Sequence, residues 1–124
     1  ERIAVLSTGT IMPLAQELVS ELTKRGLSPE LVSFHTVKPL DEAYLNDAIT
    51  RFDHVITLEE HNVSGGFGSA VLEYFSEQTN WPRVHRFGIP DRFIDQVHST
   101  ADARAKAGLT VADIMSTLSE RGVV

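Results

Sequence analysis

Apolar residues in this chain fall into two alternating patterns. Ile3 to Leu6 is a continuous apolar run, and the short stretches Leu31 to Phe34, Val55 to Leu58 and Val84 to Phe87 also read as strands. Between them, apolar residues recur three and four apart, the spacing of one face of a helix. Ile11, Leu14, Ala15, Leu18, Val19 and Leu22 make the first such face. Leu45, Ala48, Ile49 and Phe52 make the second, and Phe67, Ala70, Val71, Tyr74 and Phe75 the third. Pro13 falls in a first turn, where a missing N–H costs little, and Lys24-Arg25-Gly26 forms a basic, glycine-stopped end. Asp41 stands where it can cap the second helix, and Asn80-Trp81-Pro82 breaks the third. Two hydroxyl-to-acid capping patterns, Ser99 to Asp102 and Thr110 to Asp113, predict a helical tail divided at Gly108. Val111, Ile114, Met115 and Leu118 are the buried side of its last helix.

Strand and helix in strict alternation predict an α/β domain, with a mainly parallel sheet and right-handed crossovers. A run such as Ile3-Ala4-Val5-Leu6 lacks polar alternation and suits a strand covered on both faces. The functional end of such a sheet is its carboxyl edge. Four segments gather there: Ser7 to Thr10, His35 to Asp41, Glu59 to Gly68, and Gly88 to Arg92.

The third segment carries most of the candidate chemistry. A strand ends in Glu59-Glu60-His61 and turns through Gly65-Gly66-Phe67-Gly68-Ser69 into a helix, whose free N–H groups favour an anion. Gly66 and Gly68 match the start of a dinucleotide fingerprint, but Val71 stands at the third glycine position and the turn follows the third strand. No Gly-Lys-Ser/Thr follows, which excludes a P-loop. Ser64 and Ser69 both fail the G-x-S-x-G pattern of an acyl-transfer nucleophile. Glu59 and His61 can share one side of the strand, but two ligands are too few for a closed metal site. The favoured reading is a tight turn in which glycines permit positive φ and close helix–sheet packing. The charges of Glu59, Glu60 and His61 then hydrogen-bond to neighbouring loops or reach across a subunit contact. Lys38, beside Pro39 and Asp41, is a candidate phosphate ligand or a turn lysine. Trp81 is an exposed anchor or a lid over the core edge. Arg83, Arg86 and Arg92 suit either an anion or an interface.

At 124 residues the chain is expected to be one domain, residues 1–124, with 42% hydrophobic and 23% charged residues. Eleven basic residues against 17 acidic ones give a net charge of −6, which argues against non-specific binding to nucleic acid or an anionic membrane. No cysteine is present, so thiolate chemistry and disulfides are excluded, in keeping with a cytoplasmic protein. A core strand follows Glu1 at once with no initiator Met, and the expectation is a piece of a longer chain.

Taken in order, Ser7-Thr8-Gly9-Thr10, HTVKPLDEAYL (35–45), VITLEEHNVSGGFGSAV (55–71) and FGIPDRFI (87–94) resemble the C-terminal domain of transketolase-type thiamine diphosphate enzymes. That group includes transketolase, separately encoded C-terminal sections of transketolase, and 1-deoxyxylulose-5-phosphate synthase. The resemblance implies a three-layer α/β/α domain with about four strands in the order 2-1-3-4. It implies a mainly structural part of a parent homodimer, packed against upstream domains or a separate subunit. It also implies that thiamine diphosphate and a divalent metal are bound elsewhere in the parent, since no Gly-Asp-Gly occurs here. Members often carry one more, antiparallel strand upstream of the first one here. A fragment without it exposes a sheet edge. The alternative from another class is a free-standing domain that senses a phosphate or nucleotide at Gly65 to Gly68.

Overall fold

The computed structural model describes residues 2–8, 11–34, 41–59, 66–88 and 110–124. The elements run β1 (Ile3–Thr8), α1 (Met12–Lys24), β2 (Glu30–Phe34), α2 (Glu42–Arg51), β3 (His54–Glu59), α3 (Phe67–Ser76), β4 (Arg83–Gly88) and α4 (Val111–Glu120). All strand pairings are parallel and the order is β2-β1-β3-β4, as the resemblance implies. The expected tail segment from Ser99 to Gly108 lies outside the described residues.

Central position explains the composition of β1 and β3. Ile3 to Leu6 and Val55 to Leu58 are all at most 1% exposed. Odd and even residues face different layers. Ile3, Val5, Ile56 and Leu58 pack with α1 and α4, through Leu14, Leu18, Leu22, Ile114, Met115 and Leu118. Ala4, Leu6, Phe34 and Val55 pack with α2 and α3, through Leu45, Ala48, Phe67, Val71 and Phe75. Burying a side chain of this size contributes about 1.5–3 kcal/mol. The two cores on opposite faces therefore account for most of the cohesion. No described helix is long and apolar enough to cross a membrane.

Each strand extends beyond the stretch read from the sequence. β3 begins at His54 and ends at Glu59 because the ladder continues, with His54 opposite Arg83 and Glu59 opposite Gly88. Helix ends follow local chemistry. Asp41 caps α2, its Oδ1 accepting from Tyr44 N at 3.0 Å. Thr110 caps α4 through Asp113 N at 3.2 Å. α1 closes on Gly26 at φ 85°, with Leu27 N bonded to Leu22 O and Gly26 N to Thr23 O. α4 closes in the same way on Gly122 at φ 77°, with Val123 N bonded to Leu118 O.

The outer strand β2 is tied to α2 by a polar clamp. Arg51 grips Glu30 with two bonds of 3.1 Å, and Tyr44 Oη donates to Glu30 Oε2 at 2.6 Å. Asp47 Oδ2 sits 2.5 Å from Arg51 Nε, out of line with its N–H. The guanidinium also lies over the Phe52 ring at 4.7 Å. Arg51, and after it Tyr44, hold the Glu30 carboxyl below its ordinary range. The clamp's contribution is therefore complete above the usual carboxylate pKa and is lost as pH falls from there through the lowered pKa of the folded chain. Glu30→Ala is expected to lower the melting temperature by a few degrees at low salt and by less at high salt. A differential scanning fluorimetry series over ionic strength checks this, and a salt-independent loss would mean that packing, not charge, is at stake.

Candidate functional site

β3 carries the carboxyl-edge site. Thr57 and Glu59, two apart, face α3, while Ile56 and Leu58 face the opposite core. At the strand end the Glu59 side chain is 3% exposed and turns onto the first turn of α3. Its Oε1 accepts from Phe67 N at 3.0 Å and its Oε2 from Gly68 N at 2.6 Å. These are two of the N–H groups that a helix leaves without partners, and a carboxylate there also offsets the positive end of the helix dipole. Gly66 takes the N-cap position but has no side chain to cap with, so Glu59 supplies the cap from eight residues away in sequence.

Gly68 is where the helix meets the sheet. A Cβ on it would stand 2.6 Å from Thr57 Oγ1, 2.9 Å from Glu59 Oε2 and 3.0 Å from Arg86 Cγ. Only glycine lets the helix start come this near. Close packing is thus the reason for this glycine, as the sequence suggested. Positive φ is not a reason at Gly66, which is extended at φ −94°. Among the described glycines, positive φ occurs at Gly26 and Gly122, both at helix ends. Thr57 Oγ1 is pressed beneath this turn and has no hydrogen-bond partner among the described residues.

Neighbouring side chains lock the same turn. Arg86 from β4 donates to Ser69 Oγ at 2.9 Å. Phe67 is 2% exposed, and its ring lies 5.0 Å from that of Phe34, which in turn meets Tyr44 edge-on at 5.9 Å. β2, β3, β4 and α2 thus converge on the start of α3. Of the residues singled out from sequence, Glu59, Gly66, Gly68 and Ser69 come together here. Asp41 acts separately as the α2 cap. Lys38, Glu60, His61, Ser64, Gly65 and Arg92 lie outside the described residues. Trp81 is 44% exposed between α3 and β4.

The chemistry open to this arrangement is limited. A phosphate seeking the α3 N-terminus meets the Glu59 carboxylate already bonded to Phe67 and Gly68. No three His, Cys, Asp or Glu among the described residues gather where they would hold a metal ion. Neither a diphosphate nor its metal fits this set. A second polar group was not legible as a site in the sequence. His54 and His85 meet at 3.1 Å, and Arg121 lies against His85, at the strand starts, opposite the Glu59 edge. Only the β3–β4 register brings the two histidines together.

Residues 1–114 match the family described as Transketolase, C-terminal domain. The chain belongs to this family. Transketolase C-terminal domains of this kind occur in longer proteins. The chain is 41% identical over 117 residues to 1-deoxy-D-xylulose-5-phosphate synthase of Halalkalibacterium halodurans, matching 94% of this chain and 18% of that protein. It is 39% identical over 120 residues to the synthase of Porphyromonas gingivalis, covering 97% and 19%. It thus spans about a fifth of the length of these curated relatives. A solved split-gene transketolase, described as an inactive β4 tetramer, superposes with a TM-score of 0.81 at 28% identity, over 96% of this chain and 38% of that one.

Two substitutions test the turn. Gly68→Ala is expected to cost about 2 kcal/mol, because the Thr57 and Glu59 atoms below it belong to packed side chains. Glu59→Ala leaves two buried N–H groups unbonded and is expected to cost about 3 kcal/mol. Urea denaturation reads both. Wild-type stability for Glu59→Ala would mean that the α3 N-terminus does not need its carboxylate.

Proposed function

We propose that this chain is the C-terminal, non-catalytic assembly domain of an enzyme of the 1-deoxy-D-xylulose-5-phosphate synthase type. The observation that carries the reading is the 41% identity to such a synthase across 94% of the chain. Identity to the split-gene transketolase is lower, at 28%. The parent joins pyruvate to a sugar aldehyde, in the cytoplasm and as a homodimer. Thiamine diphosphate, which supplies the carbanion chemistry, and its divalent metal belong to upstream parts of that parent. Two features support this division. The chain has no Gly-Asp-Gly, and its own carboxylate fills the helix N-terminus that would otherwise suit a phosphate. The same carboxylate weighs against a free-standing phosphate or nucleotide sensor at the Gly65 to Gly68 turn.

The domain's task on this reading is to present a rigid carboxyl edge to its neighbours. The Glu59 lock, the Arg86–Ser69 bond and the Phe34–Phe67 contact serve that rigidity. A second reading, a subunit that acts only with a separately encoded partner, is favoured by the likeness to the split-gene protein.

An antibody against this chain, applied to extracts of the source cells, separates the two. A band several times longer than 124 residues supports the single-chain enzyme. The purified full-length polypeptide is then expected to form 1-deoxy-D-xylulose 5-phosphate from pyruvate and a sugar aldehyde. A polypeptide that transfers ketol groups between sugar phosphates and ignores pyruvate would overturn the synthase reading.

A further inference from the structure

At the strand starts a line of nitrogen atoms runs inward from the surface. Arg121 Nη1, just past α4, stands 2.9 Å from His85 Nδ1 on β4. His85 Nε2 stands 3.1 Å from His54 Nδ1 on β3. The rings are 5.2 Å apart and tilted by 37°, and both histidines are buried, at 1% and 5% exposure.

The line has only one consistent set of protons. A guanidinium has donors and no acceptor. His85 Nδ1 must therefore accept from Arg121, which makes His85 neutral with its proton on Nε2. That proton is donated to His54 Nδ1, so His54 is also neutral and carries its own proton on Nε2. Protonating His85 sets an N–H against the Arg121 donor. That proton breaks the line.

The geometry points to a proton-sensitive latch: neutral His85, seated between His54 and Arg121, holds the Arg121 turn against β4, and acidification releases it. The turn is the C-terminal stop of α4, where Gly122 N bonds Ser119 O and Val123 N bonds Leu118 O. Val123 is 5% exposed in the α1–α4 core. Arg83 on β4 adds a second tie, its Nη1 donating to Arg121 O at 3.3 Å, and the Arg121 guanidinium lies 6.0 Å from the Phe87 ring.

The charges around His85 resist its protonation. Arg121 and Arg83 act on it from the end of α4 and from β4. Asp53, beside His54 in sequence, is engaged by Arg2 ahead of β1, whose backbone N donates to its Oδ2 at 3.0 Å. Glu21 and Arg25 of α1 and Glu120 of α4 line a groove between those two helices. Burial first, and these cations second, lower the His85 pKa from 6.5 to about 4. The sign follows. Above pH 6.5 both closed and open forms are neutral, so the latch holds. Between pH 6.5 and about 4 the open form takes up a proton that the closed form refuses, and closure weakens as pH falls.

Hydrogen–deuterium exchange of the full-length polypeptide, followed by mass spectrometry and corrected for the intrinsic rate, reads the latch in peptides from residues 110–124. Protection is expected to fall by about tenfold or more from pH 7 to pH 5, while peptides from α1 hold theirs. His85→Gln replaces the ring by an amide that can accept from Arg121 and donate to His54 without titrating, so its protection is expected to be the same at both pH values. Arg121→Met is expected to lose protection already at pH 7. Wild-type protection that does not change between pH 7 and 5, or that falls equally in His85→Gln, overturns the proposal. Should the variants not fold, C2-hydrogen exchange of His85 in the unaltered chain decides: titration near 6.5 overturns the latch, and titration well below it supports it.

Discussion

The carboxyl edge of the sheet depends most on one contact, a strand-end carboxylate against the first turn of a helix. Glu59 leaves β3 and bonds the N–H groups of Phe67 and Gly68. Desolvating a carboxylate is costly, and burial is tolerated only when its oxygens are bonded. The two α3 N–H groups meet that condition, and the helix dipole adds to it. The remaining features of the edge are consequences. Gly68 has to lack a side chain, because Thr57 and Glu59 occupy the space beneath it. Phe67 is drawn into the core against Phe34, and Ser69 comes within reach of Arg86.

This contact also separates two functions that one sequence pattern can serve. A strand that turns through glycines into a helix is the usual setting for a bound phosphate. Here the charge that the helix end attracts comes from the chain itself. The same geometry joins sheet to helix, and the proposed assembly role of a chain about a fifth as long as its relatives builds on that joint. The opposite ends of the strands carry a different polar device, the His54–His85 pair under Arg121. The sheet thus has an apolar middle, an anionic lock at one end and a cationic one at the other.

Much of the fold was legible because β1 and β3 are covered on both faces. Residues such as Ile3 to Leu6 have no polar partner to obscure the pattern. Helix caps at Asp41 and Thr110 were legible for a similar reason, since their partners lie three residues away. The role of Glu59 was harder to read, because its partners are eight and nine residues away across a turn. Alternation put it on one side of the strand but not onto the N–H groups of α3. Positive φ was expected at the glycine turn, yet Gly66 is extended and Gly68 is needed for space. Turn glycines serve both needs, and sequence does not distinguish them. The histidine pair and the Glu30–Arg51 clamp depend on strand register and helix docking, and no local spacing encodes either.

The α3 N-terminus is filled from within, by Glu59. The most direct measurement is a titration of the chain with inorganic phosphate and with thiamine diphosphate, following the backbone amide resonances of Phe67 and Gly68. Unmoved resonances through millimolar ligand are the predicted result. A saturable shift of both amides at micromolar ligand would show that Glu59 yields its place and that the turn is a binding site.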